Sequence, residues 1–219
     1  APHPAMSSRF SARLLRETRE TRVEIALSLD RGPRAQLDTG LPFLDHLLSA
    51  LALHGGLDLE LSCRGDLQVD DHHTVEDCAL ALGQALANAL GDKAGRMRFG
   101  SAYAPLDEAL ARAVIDLSGR PWPAIELGLA QERLGQLSTQ NVTHFLESFA
   151  IAAGASLHVD VLKGRNDHHR AEAAFKAVAL ALRGALAWRA EAGGGCGDRA
   201  DGLSAEIPST KGALLRSQS

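Results

Sequence analysis

The chain has 219 residues, 45% of them apolar and 23% charged, enough length and apolar content to fill the core of one sizeable domain or two small ones. That balance excludes disorder and fibrous repeats, and a formal net charge of -4, from 27 acidic against 23 basic side chains, lacks the clustered positive excess on which general nucleic-acid binding rests. Three cysteines, Cys63, Cys78 and Cys196, have no CxxC spacing, so neither a disulfide framework nor a zinc ribbon is indicated and a reducing cytoplasm is the expected location.

Ala1 to Ala5, ahead of Met6, read as a tag remnant and lack the regions of a signal peptide. Thr21 to Asp30 alternates apolar and polar residues as a half-buried strand does, and Ala35 to Asp38 is short enough to pair with it. Pro42 opens an apolar helix through about His54, which Gly55 and Gly56 can end. Leu57 to Cys63 alternates again, and Thr74 to Leu90 reads as a long Ala/Leu helix stopped at Gly91. The same order then recurs: strands at Ala113 to Leu117 and Ala124 to Leu129, a helix at Asn141 to Ala153, a strand at Ser156 to Leu162 and a helix at His168 to Ala190. The most apolar stretch, Ala173 to Trp188, is interrupted by Lys176 and Arg183, so no membrane span is expected.

Identities recur with the order. The string DDHHTVED at Asp70 to Asp77 corresponds to NDHHRAEA at Asn166 to Ala173, so His72, His73 and Glu76 match His168, His169 and Glu172 at one common offset. His46 and His144 each open the apolar helix upstream of their own HH pair, the second spacing being two residues shorter. Such self-similarity means a duplicated half-domain. The expected division is 10–92, 100–190 and a Gly-rich connector with a C-terminal phosphate-binding segment at 191–219, the hinge lying between Gly91 and Gly100.

Residues four apart on a helix share a face, so His72 with Glu76, and His168 with Glu172, can each present an imidazole and a carboxylate to one point. His73 and His169 project about 100° away around the axis, so each HH pair serves two places. One HHxxE string is read equally well as a solvated helix start. Two copies at equivalent repeat positions favour metal binding, and imidazole with carboxylate suits Mn, Fe, Zn or Ni. Lys176 either reaches an anionic group near such a metal or pairs with Glu172. IPSTKG at Ile207 to Gly212 offers hydroxyls, amides and a lysine as a phosphate cradle, and the glycines at Gly193 to Gly197 follow a helix instead of a strand, unlike a dinucleotide fingerprint.

These motifs resemble the imidazoleglycerol-phosphate dehydratase family. The resemblance runs from about Phe10 to Leu214, through RETRET (Arg16 to Thr21), TGLPFLDHLLSALALHGGLDL (Thr39 to Leu59), both HH strings, RFGSAYAPLDEAL (Arg98 to Leu110), DLSGRPW (Asp116 to Trp122), HFLESFA (His144 to Ala150) and IPSTKG. It implies an α/β (α+β) fold, ribosomal protein S5 domain 2-like, with helices packed between two four-stranded mixed sheets, and self-association to trimers and a 24-mer. It also implies two Mn²⁺ ions per active site at a subunit interface, with ligands at His46, His72, His73, Glu76, His144, His168, His169 and Glu172. Besides the ligands His46, His72, Glu76 and His168, substrate contacts carry over to Glu20, His54, Arg98, Arg120, Lys176, Ser209 and Lys211. The implied activity is dehydration of D-erythro-imidazole glycerol phosphate to imidazole acetol phosphate in histidine biosynthesis, through a di-metal-bound imidazolate, with Glu20 as the catalytic base. A small phosphate substrate is the expected partner, with neither nucleic acid nor membrane. A binuclear metal hydrolase and a non-enzymatic metal-storing shell are the rival readings of the same ligands.

Overall fold

In the computed structural model, which describes residues 10–189, the chain runs twice through one order of elements. The first unit comprises β1 (Ser11–Glu17), β2 (Thr21–Ser28), β3 (Arg34–Asp38), α1 (Pro42–Gly55), β4 (Asp58–Gly65) and α2 (His72–Leu90). The second comprises β5 (Phe99–Leu106), β6 (Ala109–Asp116), β7 (Trp122–Glu126), a small hairpin of β8 (Arg133–Leu134) and β9 (Leu137–Ser138), α3 (Thr139–Ala153), β10 (Ser156–Lys163) and α4 (Asp167–Leu186). The sheets have matching orders, β1-β2-β4-β3 and β5-β6-β10-β7. In each, one pair is parallel, β3 with β4 and β7 with β10, because a helix makes the crossover between them; the remaining pairs are antiparallel.

Alternation sets which face of each sheet is covered. Val23, Ile25 and Leu27 on β2, like Ala111, Ala113 and Ile115 on β6, are buried. Helices α1 and α2 cover the first sheet and α3 and α4 the second, while α2 packs on α3 and α1 on α4, so two sheets enclose a double layer of helices. Small residues let these layers close. A Cβ at Gly83 would lie 2.6 Å from the Phe149 carbonyl oxygen, so the glycine admits α3 onto the backbone of α2. Gly100 likewise admits β5 onto α4 at Ala181 and Ala185.

The local pattern predicts three strands per unit and misses β1 and β5. Only alternate residues of β1 are even half-buried, and β5 carries Gly100 and Pro105, two poor strand residues. Helix α4 ends at Leu186, short of the expected Ala190, because the chain turns into an extended Ala187 whose carbonyl accepts from Met97 N–H at 2.8 Å. The segment read as a hinge is packed, not open: Arg96 is buried between the Phe10 and Trp188 rings and donates to the Leu186 carbonyl at 2.6 Å. No helix among the described residues is long and apolar enough to cross a membrane. The C-terminal segment 191–219, with Ser209 and Lys211, lies outside the described residues.

Candidate metal centres

Both HH pairs sit in the first turn of a helix whose start is fixed by side chains. Asn166 caps α4, its Oδ1 accepting from the N–H groups of His168 and His169 at 2.9 and 3.4 Å, and Asp70 accepts from His72 N–H at 2.8 Å. The aspartate before each pair is buried and holds the loop that precedes α3. Asp71 accepts from the Ser138 N–H and hydroxyl at 2.6 and 2.7 Å, and Asp167 from the N–H groups of Ala130 and Gln131 at 2.8 and 2.7 Å. Burial pushes the Asp71 carboxyl up, but the Ser138 hydrogen bonds outweigh it and leave it below its ordinary value. Neither aspartate was singled out in the sequence, although both stand inside the repeated strings.

Two clusters result, each drawing one helix from each unit. His46 of α1 meets His168 and Glu172 of α4, and His144 of α3 meets His72 and Glu76 of α2; within each trio the ligand atoms lie within 4.8 Å of one another. At the first, Glu172 Oε2 is 2.9 Å from His46 Nε2 and 3.2 Å from His168 Nε2, while Lys176 Nζ donates to Oε1 at 2.7 Å. Burial opposes ionisation of Glu172, yet the hydrogen bonds from Lys176 and His46 draw its carboxyl down to about 2. At the second, the His72 and His144 rings stack 4.8 Å apart and His144 Nε2 is 3.3 Å from Glu76 Oε1. Asn141 Oδ1 takes the His72 Nδ1 hydrogen at 3.3 Å, which leaves Nε2 as the ring's lone-pair nitrogen.

His73 and His169 are not in these trios. Their Nδ1 atoms face other carboxylates, His73 that of Asp66 at 3.1 Å and His169 that of Glu108 at 2.8 Å. Each hydrogen bond raises its imidazole above the ordinary 6.5, and His169 in return holds Glu108 well below the usual carboxylate range.

Glu20, exposed in the turn between β1 and β2, is held through its backbone. Its N–H donates to Thr18 Oγ1 at 3.2 Å, and its carbonyl accepts from Asp66 N–H at 3.1 Å. Beneath the turn, Asp77 of α2 accepts from Arg16 Nε at 2.7 Å and from the hydroxyls of Thr18 and Thr21. The RETRET string is therefore a turn clamped to the helix that carries His72, His73 and Glu76.

The predicted substrate contacts are spread out. Lys176 pairs with Glu172. Arg98 is buried, donating to Asp116 from Nε at 2.6 Å and Nη2 at 2.9 Å, and its N–H bonds the Ala185 carbonyl at the C-terminal end of α4. His168 opens that helix, so Arg98 stands about 25 Å away at 1.5 Å rise per residue. Arg120 is exposed beyond β6, beside the C-terminal end of α3, where Gly119 N–H bonds the Gly154 carbonyl at 2.8 Å, and His54 is exposed in the last turn of α1. One chain thus gathers the trios and Lys176 at one end of its helices and Arg98, Arg120 and His54 at the other.

The donor set fits a divalent transition ion. Imidazole and carboxylate are the ligands such ions take, and three donors per trio leave coordination positions open. Comparisons with known proteins point to one family. Residues 39–182 match the family model described as imidazoleglycerol-phosphate dehydratase. A relative of that name from Candida glabrata is 50% identical over 217 residues, covering 91% of this chain and 97% of its own. Another from Phytophthora nicotianae is 54% identical over 203 residues and covers 93% of this chain, which spans 42% of that longer protein. The crystal structure of the Staphylococcus aureus protein of the same name superposes with a TM-score of 0.74 at 36% identity, over 82% of this chain and 99% of that one.

Proposed function

The chain belongs to the imidazoleglycerol-phosphate dehydratase family, and from that premise we propose that it is the hydro-lyase of histidine biosynthesis that converts D-erythro-imidazole glycerol phosphate to imidazole acetol phosphate and water. The observation that carries the reading is the pair of imidazole and carboxylate trios, His46, His168 and Glu172 with His72, Glu76 and His144, in a chain whose relatives carry that name. Two Mn²⁺ ions per active site are the proposed cofactors. His73 and His169, which are not members of the trios of their own chain, would complete the sites of neighbouring copies in a trimer-based 24-mer, in the cytoplasm. When bound, the ions supply Lewis-acid stabilisation of charge on the substrate's imidazole and a template for its orientation.

The remaining work falls to side chains. The hydroxyl on the carbon next to the ring takes up a proton and leaves as water, the proton on the following carbon passes to the Glu20 carboxylate, and the resulting enol becomes the ketone by losing its hydroxyl proton as the carbon next to the ring gains one. Glu20 suits this role because it is exposed while its backbone is bonded to Thr18 and Asp66, in a turn whose threonines are held by Asp77. The phosphate needs cations, Arg98 and Arg120 as paired donors and Lys176, Ser209 and Lys211 as further contacts. Because Arg98 stands at the far end of α4 from His168 in its own chain, it would serve a neighbour's site, as would His54 and Arg120. The test is a product assay on metal-stripped protein with Mn, Fe and Zn added back separately. Imidazole acetol phosphate should form only after a metal is restored; undiminished turnover by stripped protein, or no product with any metal, would overturn the reading, and the hydrolase and metal-storage rivals predict no such product.

A further inference from the structure

His73 and His169 occupy the same position in the two units, and both have Nδ1 against a carboxylate, but the two carboxylates come from different places. Glu108 lies in the turn before β6, whereas Asp66 follows β4. The first-unit position equivalent to Glu108 is Glu20, since each glutamate immediately precedes the second strand of its unit. Glu108 is fully engaged: Oε2 meets His169 Nδ1 at 2.8 Å, and Oε1 accepts from the N–H groups of Arg165 and Asn166 at 3.0 and 2.9 Å. The Glu20 carboxylate makes no hydrogen bond among the described residues, and the imidazole it would otherwise face is held by both Asp66 oxygens at 3.1 and 3.2 Å.

We propose that Asp66 and Glu108 are positioning residues that fix the ring orientation and tautomer of His73 and His169, and that the substitute brace from Asp66 is what frees Glu20 for proton transfer. A carboxylate that takes the Nδ1 hydrogen leaves the lone pair on Nε2, the nitrogen then available to a metal. Around His169 Nε2, the exposed Asp107 carboxylate stands at 3.7 Å, too far to compete as a hydrogen-bond acceptor. Asp66 also donates its N–H to the Glu20 carbonyl, so one residue ties the base-bearing turn to His73. The inference rests on the reading of His73 and His169 as metal ligands.

The test is Mn²⁺ titration of stripped protein by calorimetry, with thermal melts alongside, for the wild type, Asp66→Ala, Glu108→Gln and His169→Asn. Asp66→Ala removes a side chain whose hydrogen bonds, among the described residues, go to His73. Glu108→Gln keeps one oxygen for the Arg165 and Asn166 N–H groups and turns an NH₂ toward His169, which reverses the tautomer while the loop stays bonded. Each brace variant should weaken binding at one class of site by about 10–100-fold with little change in melting temperature, and His169→Asn should abolish one class. Wild-type affinity in folded Asp66→Ala and Glu108→Gln, with loss in His169→Asn, overturns the braces alone. Wild-type affinity in His169→Asn overturns the ligand reading for that histidine, and its brace with it. Should Glu108→Gln fail to fold, Asp66→Ala decides the question on the His73 side.

Discussion

Around Glu172 two imidazoles and Lys176 converge on one carboxylate, whereas among the described residues no lysine pairs with Glu76, because Leu80 holds the position that Lys176 holds in the second unit. The trios otherwise mirror each other: α1 with α4 makes one, α3 with α2 the other. Duplication therefore did not give each half a site. It gave two half-sites per centre, and only the packing of one unit on the other, at contacts such as Gly83 against Phe149, brings them together. The units also differ at their equivalent turns, where Glu108 is bonded on both oxygens and Glu20 is exposed.

Changing the same position in both units separates their roles by the largest effect. Glu20→Gln should lower turnover by roughly 10²–10⁴-fold with Mn²⁺ affinity unchanged, whereas Glu108→Gln acts on affinity; steady-state rates beside calorimetry show whether the roles separate. Asp77→Ala comes next. The second unit has Ala173 at the equivalent position, so only the first-unit turn depends on such a clamp. Leaving the partners of a buried carboxylate unpaired costs about 1–3 kcal/mol, which at about 2–4 °C per kcal/mol is visible in a thermal melt, and misplacing Glu20 should slow turnover as well.

The smallest effect on stability belongs to Lys176→Met. The folded-state carboxyl of Glu172 lies at about 2, below its ordinary 4.5, so its contribution to stability is present above pH 4.5 and is lost as pH falls toward 2. Removing the lysine should cost about 0.5 kcal/mol at neutral pH and move the acid-unfolding midpoint of metal-free protein to higher pH, as followed by circular dichroism. The second trio has no equivalent lysine, and an unchanged midpoint would mean that the difference between the trios carries no energy.

What the sequence made legible follows from range. The ligands stand out because HHxxE is a local pattern that places donors on one helix face, and its repetition points to a shared purpose. The long helices are legible from their Ala/Leu periodicity. Strands β1 and β5 are not, since edge position and Gly100 with Pro105 blur their alternation. The residues that hold the ligands were hidden for a different reason. Asp66, Asp77 and Glu108 reach partners that are distant in sequence or on another element, and an isolated acidic residue carries no mark of what it will bond. Arg98 was named by resemblance alone, and the fold puts it at the far end of α4 from His168.

The proposed function requires each chain to hold two ions, one per trio. Metal content per chain, measured by plasma emission on protein that turns over imidazole glycerol phosphate, should be two, falling to one when His144→Asn opens only the second trio. Full turnover with content well below two per chain would contradict it.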